Sequence, residues 1–199
     1  MHYPIWKRLL DIVGATAGLI GISPFTPFIA FALTLEGPGG VFIRLPRVSE
    51  GKVVEVYKFR SMVKGADKLK RNLLELNERD GPFFKMKNDP RITRVGKVLR
   101  RFRLDEFPQL INVMKGELAL VGPRPHETEE VIHYPEKYKK LLLRRSGVTG
   151  LSQVSGASSL PFLKELELDS FYSENVSPGM DLKILGKTAV IFLFDPTAV

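Results

Sequence analysis

The chain has no cysteine among its 199 residues and only three histidines, His2, His126 and His133. Without cysteine, disulfides, thiol nucleophiles and cysteine-based zinc sites are all excluded. The histidines are scattered along the chain and form no ligand pattern, so we expect His126 and His133 to be surface residues. A metal in this protein would be a hard cation held by carboxylate and phosphate oxygens, for which Mg²⁺ is the natural candidate.

Negative charge is also scarce relative to positive charge. The chain carries 30 Lys and Arg residues against 22 Asp and Glu residues, which gives a net charge of +8. This balance indicates an acidic partner, such as nucleic acid, an anionic membrane surface or a phosphorylated substrate. The length suits one domain that buries a core of its own.

Charge is absent altogether from residues 12–35, an apolar run that is long enough to cross a bilayer as a helix. Pro24 and Pro27 disfavour helix in the residues before them, so we expect a sharp break near Ser23-Pro24. The Ser23 hydroxyl is placed to bond a carbonyl that the break leaves without a partner. The length of the run and the position of the prolines argue against a cleaved signal peptide.

The charges that flank this run bear on its topology. Basic residues lie on both sides of it: Lys7, Arg8, Arg44, Arg47 and Lys52. Because Lys and Arg mark the cytoplasmic side of a membrane segment, both ends favour the same side. A re-entrant helix–break–helix satisfies this preference. A kinked spanning helix, which remains the alternative, places one basic cluster on the outside.

The rest of the chain predicts short elements of both kinds. Residues 41–62 have the pattern of two strands around Ser49-Glu50-Gly51, and the second strand places Lys58 and Arg60 on one face. Helices are predicted over 64–79, 94–104, 105–115, 128–145, 161–175 and 181–194, with a Gly/Ser-rich loop over 146–159. The basic helix over 94–104 suits the headgroup region of an anionic membrane. The expected fold class is α/β, mostly helical with a few short strands, and includes amphipathic interfacial helices.

Two adjacent carboxylates, Asp105 and Glu106, lie among many cations. Those nearest in sequence are Arg91, Arg94, Lys97, Arg100, Arg101, Arg103 and Lys115. Nearby positive charge favours the ionised form, so we expect the pair to be charged at neutral pH. Such a pair suits an acid that works on a phosphate. The alternative is that Asp105 only caps a helix that starts there, with Pro108 in its first turn.

Arg124 lies between Pro123 and Pro125. The two prolines restrict the backbone and leave the arginine little freedom of position. A guanidinium fixed in this way suits bidentate binding of a phosphate.

Taken together, these segments resemble one family, the monotopic bacterial phosphoglycosyl transferases (bacterial sugar transferases of the undecaprenyl-phosphate sugar phosphotransferase type). The matching segments are KRLLD at 7–11, Ser23-Pro24, VYKFRSM at 56–62, NDPRITRVGKVLRR at 88–101, LDEFPQLINVMKGELALVGPRP at 104–125, VTGLSQVSG at 148–156 and DLKILGKT at 181–188. They follow the family's order over nearly the whole chain. Each segment alone is a weak signal, whereas the ordered set is highly specific and favours the functional interpretation of Asp105.

The resemblance implies transfer of a sugar 1-phosphate from a UDP-sugar to a polyprenyl (undecaprenyl) phosphate, with release of UMP. In the family an aspartate forms an aspartyl-phosphosugar intermediate, and Mg²⁺ is required. Carried over to this chain, Asp105 is the nucleophile, and Glu106 is its partner in metal or proton handling. Arg124 would hold the phosphate or nucleotide of the donor. Lys58, Arg60 and Arg100 are further candidates for phosphate binding.

The resemblance also implies a monotopic protein at the cytoplasmic face of the bacterial inner membrane. Residues 1–36 would form the re-entrant membrane segment, broken at Ser23 and Pro24, and residues 37–199 a cytoplasmic catalytic domain docked on the interface. The long family form has an N-terminal transmembrane bundle, and this chain resembles the short form or an isolated catalytic unit. The expected partners are the two substrates and an anionic membrane; nucleic acid is not among them, and a homo-oligomer is compatible with the pattern.

The chain departs from the family pattern at a few positions. Ser146 stands where many members have Pro, Ser152 where Trp or Ala often precedes Gln-Val, and Ala157 where Arg is usual. Arg103 and Phe107 replace a Ser or Thr and a Leu beside the carboxylate pair. We expect these changes to affect donor identity more than reaction class. Two other classes stay open: an idle membrane-bound scaffold of the same pathway, and a basic nucleic-acid-binding module, which the apolar run disfavours.

Overall fold

The computed structural model describes residues 3–156 and 159–194 of the chain. Its first feature is a pair of helices, α1 (Ile5–Ile22) and α2 (Thr26–Leu35), whose axes bend by 59° at the break between them. Within the described residues no single helix is both long and apolar enough to cross a membrane, whereas the bent pair passes that test by length and composition. The predicted break at Ser23-Pro24 is confirmed. The Ser23 Oγ donates to the Ile20 carbonyl at 2.8 Å, as expected of a broken helix end.

An antiparallel hairpin follows, formed by β1 (Phe42–Ser49) and β2 (Lys52–Phe59). Glu50 and Gly51 connect the strands, and both have positive φ angles, 53° and 73°. A two-residue loop with positive φ at both positions matches the right-handed twist of the strands it joins. The two strands predicted around Ser49-Glu50-Gly51 are therefore confirmed.

The remaining chain forms short helices and a second small sheet. In order, these are α3 (Ala66–Lys70), a 3-10 turn (Arg71–Leu76), α4 (Arg94–Arg101), a 3-10 turn (Leu104–Glu106), α5 (Gln109–Lys115), β3 (Ala119–Val121), α6 (Thr128–Val131), a 3-10 stretch (Glu136–Leu143), β4 (Gly147–Thr149), a 3-10 turn (Gln153–Ser155), α7 (Phe162–Glu174) and α8 (Pro178–Phe194). The expected α/β class, mostly helical with a few short strands, is confirmed. The helices predicted over 64–79, 105–115 and 128–145 are shorter and interrupted, partly because Pro108 and Pro135 stand inside the last two segments.

The second sheet pairs β3 with β4 in parallel, so that Ala119 lies opposite Gly147 and Val121 opposite Thr149. Strand β4 lies in the segment predicted to be a loop. Its glycines serve close packing, since a Cβ at Gly147 would overlap the backbone of Gly122. The Gly/Ser-rich composition predicted a loop here, because glycine usually weakens a strand. A glycine is accommodated in a strand where another backbone must approach it closely, as in β4.

Helix α1 packs along its length on the rest of the chain. Ala15 is fully buried in the main core with Val113, Leu118 and Val121. Close approach depends on small residues in this stretch of α1, because a Cβ at Gly14 would overlap the buried Leu120 side chain. The helix pair and the following domain therefore share a core. The boundary between a membrane segment over 1–36 and a catalytic domain over 37–199 stays a prediction, since it depends on a bilayer.

The N-terminal end of α1 is fixed by buried polar contacts. The Lys7 Nζ lies 2.5 Å from the Asp181 Oδ2 of α8, and both side chains are buried. Arg8 donates to the carbonyls of Val113 and Met114 at the end of α5, at 2.7 and 2.6 Å. Lys7, interpreted from sequence as a basic flank facing the membrane surface, is thus a buried ion-pair partner. A single lysine in a sequence does not reveal a carboxylate that follows 174 residues later.

The other end of the helix pair is bound to the same domain. Arg60, which follows β2, donates to three carbonyls at the end of α2, those of Leu33, Gly37 and Pro38, at 2.5–2.9 Å. The Glu36 Oε1 accepts from the backbone N–H of Val95 in the first turn of α4 at 2.7 Å. Both ends of the bent pair are therefore held by one folded domain.

Candidate functional site

The carboxylate pair lies on the 3-10 turn Leu104–Glu106 between α4 and α5. Arg103 precedes this turn with a φ of 49°, a left-handed conformation that is uncommon for a residue with a side chain. Helix α5 begins only at Gln109, and no side chain caps its start. The interpretation that Asp105 caps a helix that starts there is therefore not supported.

The two carboxylates have different surroundings. Asp105 is only 7% exposed, whereas the Glu106 side chain is 35% exposed and accepts a charged hydrogen bond from the Lys58 Nζ at 2.6 Å. Burial raises the pKa of Asp105, and Lys58 and Arg100 only partly offset it. At Glu106 burial acts in the same direction, but Lys58, Arg124 and Arg103 outweigh it and lower the pKa. Positive charge thus determines the direction of the pKa shift at Glu106, whereas burial determines it at Asp105. The expectation that nearby cations keep both carboxylates charged did not include the burial of Asp105.

Arg100 reaches the site from the last turn of α4. Its Nε donates to the Ser61 Oγ at 3.0 Å, which ties the helix to the end of β2. Helix α4 itself is fixed at its start, because the Thr93 Oγ1 accepts from the Gly96 N–H at 3.0 Å. Gly96 lies directly against the Ser61 carbonyl oxygen, so that only a residue without a Cβ fits. The structure therefore brings Arg100 and Lys58 towards the carboxylate pair, as the sequence predicted.

Arg60 does not join them. Its guanidinium is buried, and its two terminal nitrogens are bound to the carbonyls at the end of α2 described above. The hypothesis that Arg60 binds phosphate is thus contradicted, because both terminal nitrogens of its guanidinium donate to backbone carbonyls. Alternation along the strand had placed Arg60 on the face of Lys58, but β2 ends at Phe59, before Arg60.

Arg124 is held from two directions. Its backbone N–H donates to the Asp169 Oδ2 at 2.9 Å, and its Nε lies 3.9 Å from the Glu165 Oε1. The side chain is 36% exposed. Its charge is close enough to lower the pKa of Glu106. The predicted fixing of Arg124 is therefore explained by α7 as well as by the two prolines.

A buried polar cluster supports Arg124 and was not predicted as a unit. Glu165 is 1% exposed; it pairs with Arg79 and accepts from the His126 Nε2 at 2.8 Å, while the Tyr134 hydroxyl contacts the His126 Nδ1 at 2.6 Å. Burial alone would raise the pKa of Glu165, but the His126 hydrogen bond and the charges of Arg124 and Arg79 lower it to about 2. The expectation that His126 is a surface residue is wrong, since it is 3% exposed.

An open cleft adjoins this cluster. It has a volume of about 320 Å³ and is lined by Glu78, Arg79, Asp80, Lys85, Ser159, Leu160 and Pro161. Burial and the nearby charges of Arg79 and Arg124 lower the pKa of Lys85. The cleft is therefore lined by charges of both signs, and its cations Arg79 and Lys85 lie near Arg124. Of the departures from the family pattern, Ser152 is fully buried near Asp169, whereas Ala157 lies outside the described residues.

No group of three or more His, Asp or Glu side chains that could hold a metal occurs within the described residues. Asp105 and Glu106 therefore offer a pair of adjacent carboxylates and no closed cage. This donor set fits Mg²⁺, which is usually bound through one or two carboxylates together with waters and substrate phosphates.

Comparison with known proteins gives consistent matches over nearly the whole chain. The family model described as bacterial sugar transferase matches residues 2–195. An uncharacterized sugar transferase of Haemophilus influenzae is 39% identical over 95% of the chain, and the undecaprenyl-phosphate galactose phosphotransferase of Salmonella typhimurium is 38% identical over 94%. The chain spans only about two fifths of the length of these two relatives (41% and 40%). It spans 83% of the exopolysaccharide production protein ExoY of Rhizobium meliloti, with 35% identity over 92% of the chain.

Proposed function

The chain belongs to the bacterial sugar transferase family, and from this premise we propose that it transfers a sugar 1-phosphate from a UDP-sugar to a polyprenyl phosphate. The products are a polyprenyl diphospho-sugar and UMP. Relatives are named for transfer of galactose phosphate or glucose 1-phosphate to undecaprenyl phosphate. We therefore take UDP-galactose and UDP-glucose as the first donors to test, and undecaprenyl phosphate as the acceptor.

The observation that carries this proposal is the position of Asp105. It shares a short turn with Glu106, and the fold brings cations to this pair from different segments: Lys58 and Arg100 act on Asp105, and Lys58 and Arg124 act on Glu106. Phosphoryl transfer depends mainly on positioning and on positive charge around the phosphate oxygens. A carboxylate among convergent cations meets both needs, and aspartyl-phosphate formation is an established use of such a group.

In the proposed first step, an Asp105 oxygen attacks the β-phosphorus of the UDP-sugar. A bond forms between that oxygen and phosphorus, the bond from the β-phosphorus to the bridging oxygen breaks, and UMP leaves with the electron pair. In the second step a phosphate oxygen of the acceptor attacks the same phosphorus and releases Asp105. Burial serves this chemistry, because a poorly hydrated carboxylate is a stronger nucleophile once the cations and substrate are in place.

The other residues have distinct parts in this proposal. Lys58 fixes Glu106 and supplies charge beside the reacting phosphate, and Arg124 is placed between the carboxylate pair and the cleft at Arg79 and Lys85. The cleft would take the nucleotide or sugar of the donor. Asp105 and Glu106 would hold Mg²⁺ together with the donor's phosphates; when bound, the ion neutralises phosphate charge.

We also propose that α1 and α2 form the re-entrant membrane segment. Many apolar side chains on this pair are exposed, among them Ile5 at 73%, Phe28 at 74% and Phe31 at 67%. Such a contiguous surface is unusual for a protein that meets only water. One domain holds both ends of the pair, and Ile22 beside the break packs with Phe59 and Leu99, so the part that would meet lipid is the exposed apolar face of the two helices.

The geometry of the bend gives the depth of this insertion. A bend of 59° means that the two axes enclose about 121°. When both helices of this V are inclined equally, by about 60° from the membrane normal, the 10 residues of α2, about 15 Å long, descend about 7 Å, and the 18 residues of α1, about 27 Å long, descend only about 13 Å. This is less than the roughly 15 Å of hydrocarbon in one leaflet. The V therefore suits a segment that enters and leaves on the cytoplasmic face of the cytoplasmic membrane.

The test is the complete reaction. Detergent-solubilised protein is incubated with Mg²⁺, undecaprenyl phosphate and a panel of radiolabelled UDP-sugars that includes UDP-galactose and UDP-glucose. We expect labelled lipid product and UMP with at least one donor, and loss of both in Asp105→Asn. A matched control, Asp67→Asn on an exposed helix outside the site, should stay active. Absence of product with every donor would refute the proposal and favour an idle scaffold.

A further inference from the structure

A second cleft opens at the far end of α5 from the carboxylate pair. It has a volume of about 460 Å³ and is lined by Tyr3, Ile5, Arg8, Leu9, Lys115, Gly116 and Arg145. Three of these residues are cations from separate segments: Arg8 from α1, Lys115 from the end of α5, and Arg145 from the stretch before β4. None of them has a part in the transfer reaction proposed above.

Two of the cations converge on one point. Gly116 has a φ of 80°, and a Cβ built on it would lie 3.8 Å from the guanidinium groups of both Arg8 and Arg145. The absence of a side chain at Gly116 keeps the space between them open. Two guanidinium groups that share so small a space repel each other unless an anion lies between or beside them.

The lining of the cleft itself contributes no carboxylate. Arg8 is bound to the neutral carbonyls of Val113 and Met114, which fix its position, and the carboxylate of Asp11 lies near it without forming an ion pair. The Lys115 Nζ donates to the Tyr57 hydroxyl at 3.0 Å, and this hydrogen bond raises the pKa of Lys115.

Within the described part of the chain, one carboxylate pairs with the three cations. It is that of Glu50, whose Oε2 lies 3.0 Å from the Arg145 Nη2. Asp11 and Glu117 lie near Arg8 and Lys115 without forming an ion pair. The residues that line the cleft include three cations and no carboxylate, so the cleft is suited to bind an anion.

The cleft continues into an apolar stripe. Ile5, Leu9 and Val13 are spaced four residues apart on α1 and are 73%, 59% and 67% exposed. Residues at this spacing lie on one face of a helix. The stripe begins at the cations and runs towards the break in the helix pair. An occupant that satisfies both parts has an anionic head and a long apolar tail.

We infer that this cleft binds an anionic glycerophospholipid of the surrounding membrane, with its phosphate at Arg8, Lys115 and Arg145 and its acyl chains along Ile5, Leu9 and Val13. A phospholipid is favoured over the polyprenyl acceptor because the acceptor's phosphate must reach Asp105, and the whole of α5 separates this cleft from that residue. The site would fix α1 at the headgroup level. The inference rests on the membrane association proposed above.

The chain carries its own probe, because Trp6 is the only tryptophan and lies in the first turn of α1 beside the cleft. The protein is reconstituted into phosphatidylcholine bilayers that contain a small fraction of phosphatidylglycerol with brominated acyl chains, which quench tryptophan at short range. The reference sample carries the bromine on phosphatidylcholine at the same mole fraction. We expect several-fold stronger quenching by the brominated phosphatidylglycerol.

Two variants make the test specific. Lys115→Gln with Arg145→Gln should bring quenching by the two brominated lipids close to equal, since each cation near an anionic surface is worth about a fivefold preference. Lys64→Gln with Lys68→Gln removes the same net charge from exposed positions outside the cleft and should leave the preference unchanged. An equal loss in both double variants would overturn the inference, because it would show only a general charge effect.

The other outcomes separate the possible occupants. Equal quenching by both brominated lipids would overturn phospholipid selectivity, and absence of quenching by either lipid would overturn membrane association as well. Inorganic phosphate should not displace the brominated phosphatidylglycerol if the apolar stripe contributes to binding. Undecaprenyl phosphate at low mole fraction should not displace it either; displacement would show that the cleft takes the acceptor.

Discussion

Glu165 offers a sharp test of how the fold supports Arg124. Replacing it by Gln leaves Arg79, His126 and Arg124 around a neutral group in a site where the carboxylate is 1% exposed. Removing one partner of a buried ion pair costs about 3–5 kcal/mol. The pKa leads to a similar figure, because lowering it from 4.5 to about 2 corresponds to about 3 kcal/mol of stability. We therefore expect Glu165→Gln to lower the Tm by roughly 6–20 °C, given 2–4 °C per kcal/mol for a domain of this size.

The assay is thermal unfolding in detergent micelles, followed by far-UV circular dichroism. Glu167→Gln is the matched control, because Glu167 lies two residues along the same helix and forms an exposed pair with Lys164. Its cost should stay below about 0.5 kcal/mol. The carboxylate's contribution is fully present above the unfolded pKa and is lost as the pH falls from about 4.5 towards 2, so Glu165→Gln should lack that part of the acid transition. A Tm change no larger than that of Glu167→Gln would refute the reasoning.

Three further predictions concern the site and the membrane segment. Lys58→Gln should lower kcat/KM by about a hundredfold, because it removes a positive charge beside the reacting phosphate. Lys52→Gln, at the exposed start of the same strand, should leave kcat/KM unchanged. Equal kcat/KM values for the two variants in steady-state assays would contradict the role assigned to Lys58. Gly96→Ala should displace α4 and with it Arg100, lowering both Tm and activity, while Gly186→Ala, with open space around it, should be neutral or stabilising. Cysteines at His2, ahead of α1, and at the exposed Glu50 should both react with a membrane-impermeant reagent from the cytoplasmic side only, and labelling from opposite sides would indicate a spanning helix.

The elements predicted correctly depend on local chemistry. Proline removes a backbone donor wherever it stands, so the break at Ser23-Pro24 could be placed from sequence. The turn at Glu50-Gly51 likewise follows from a glycine between two alternating segments. The adjacent carboxylates Asp105 and Glu106 needed no partner to be noticed, and the ordered motifs then identified the family.

The features missed depend on contacts between distant residues. The sequence could not show that Lys7 pairs with Asp181, or that His126 lies buried between Tyr134 and Glu165. Lys, Asp and Glu are more often found at the surface, His is intermediate, and only tertiary packing places these residues inside. The partial signal for His126 was its position directly after the Pro-Arg-Pro segment, where a rigid backbone leads into the core.

The same distinction applies to the basic residues as a group. The net charge predicted an acidic partner, but it could not show which group each cation binds. In the structure Arg60 binds helix-end carbonyls, Lys58 and Arg124 face the carboxylate pair, and Arg145 faces a separate cleft. The function of each cation is therefore better inferred from the acceptor that it contacts than from its position along a strand or helix.

The central claim is that Asp105 forms the covalent phosphosugar, and the first half-reaction tests it most directly. The protein is incubated with Mg²⁺ and its UDP-sugar donor in the absence of any polyprenyl phosphate, and both released UMP and the intact mass of the protein are measured. We predict up to one UMP per protein and a mass increase of one sugar phosphate located on Asp105, with neither in Asp105→Asn. Release of UMP only when acceptor is present, or an adduct on another residue, would contradict this assignment.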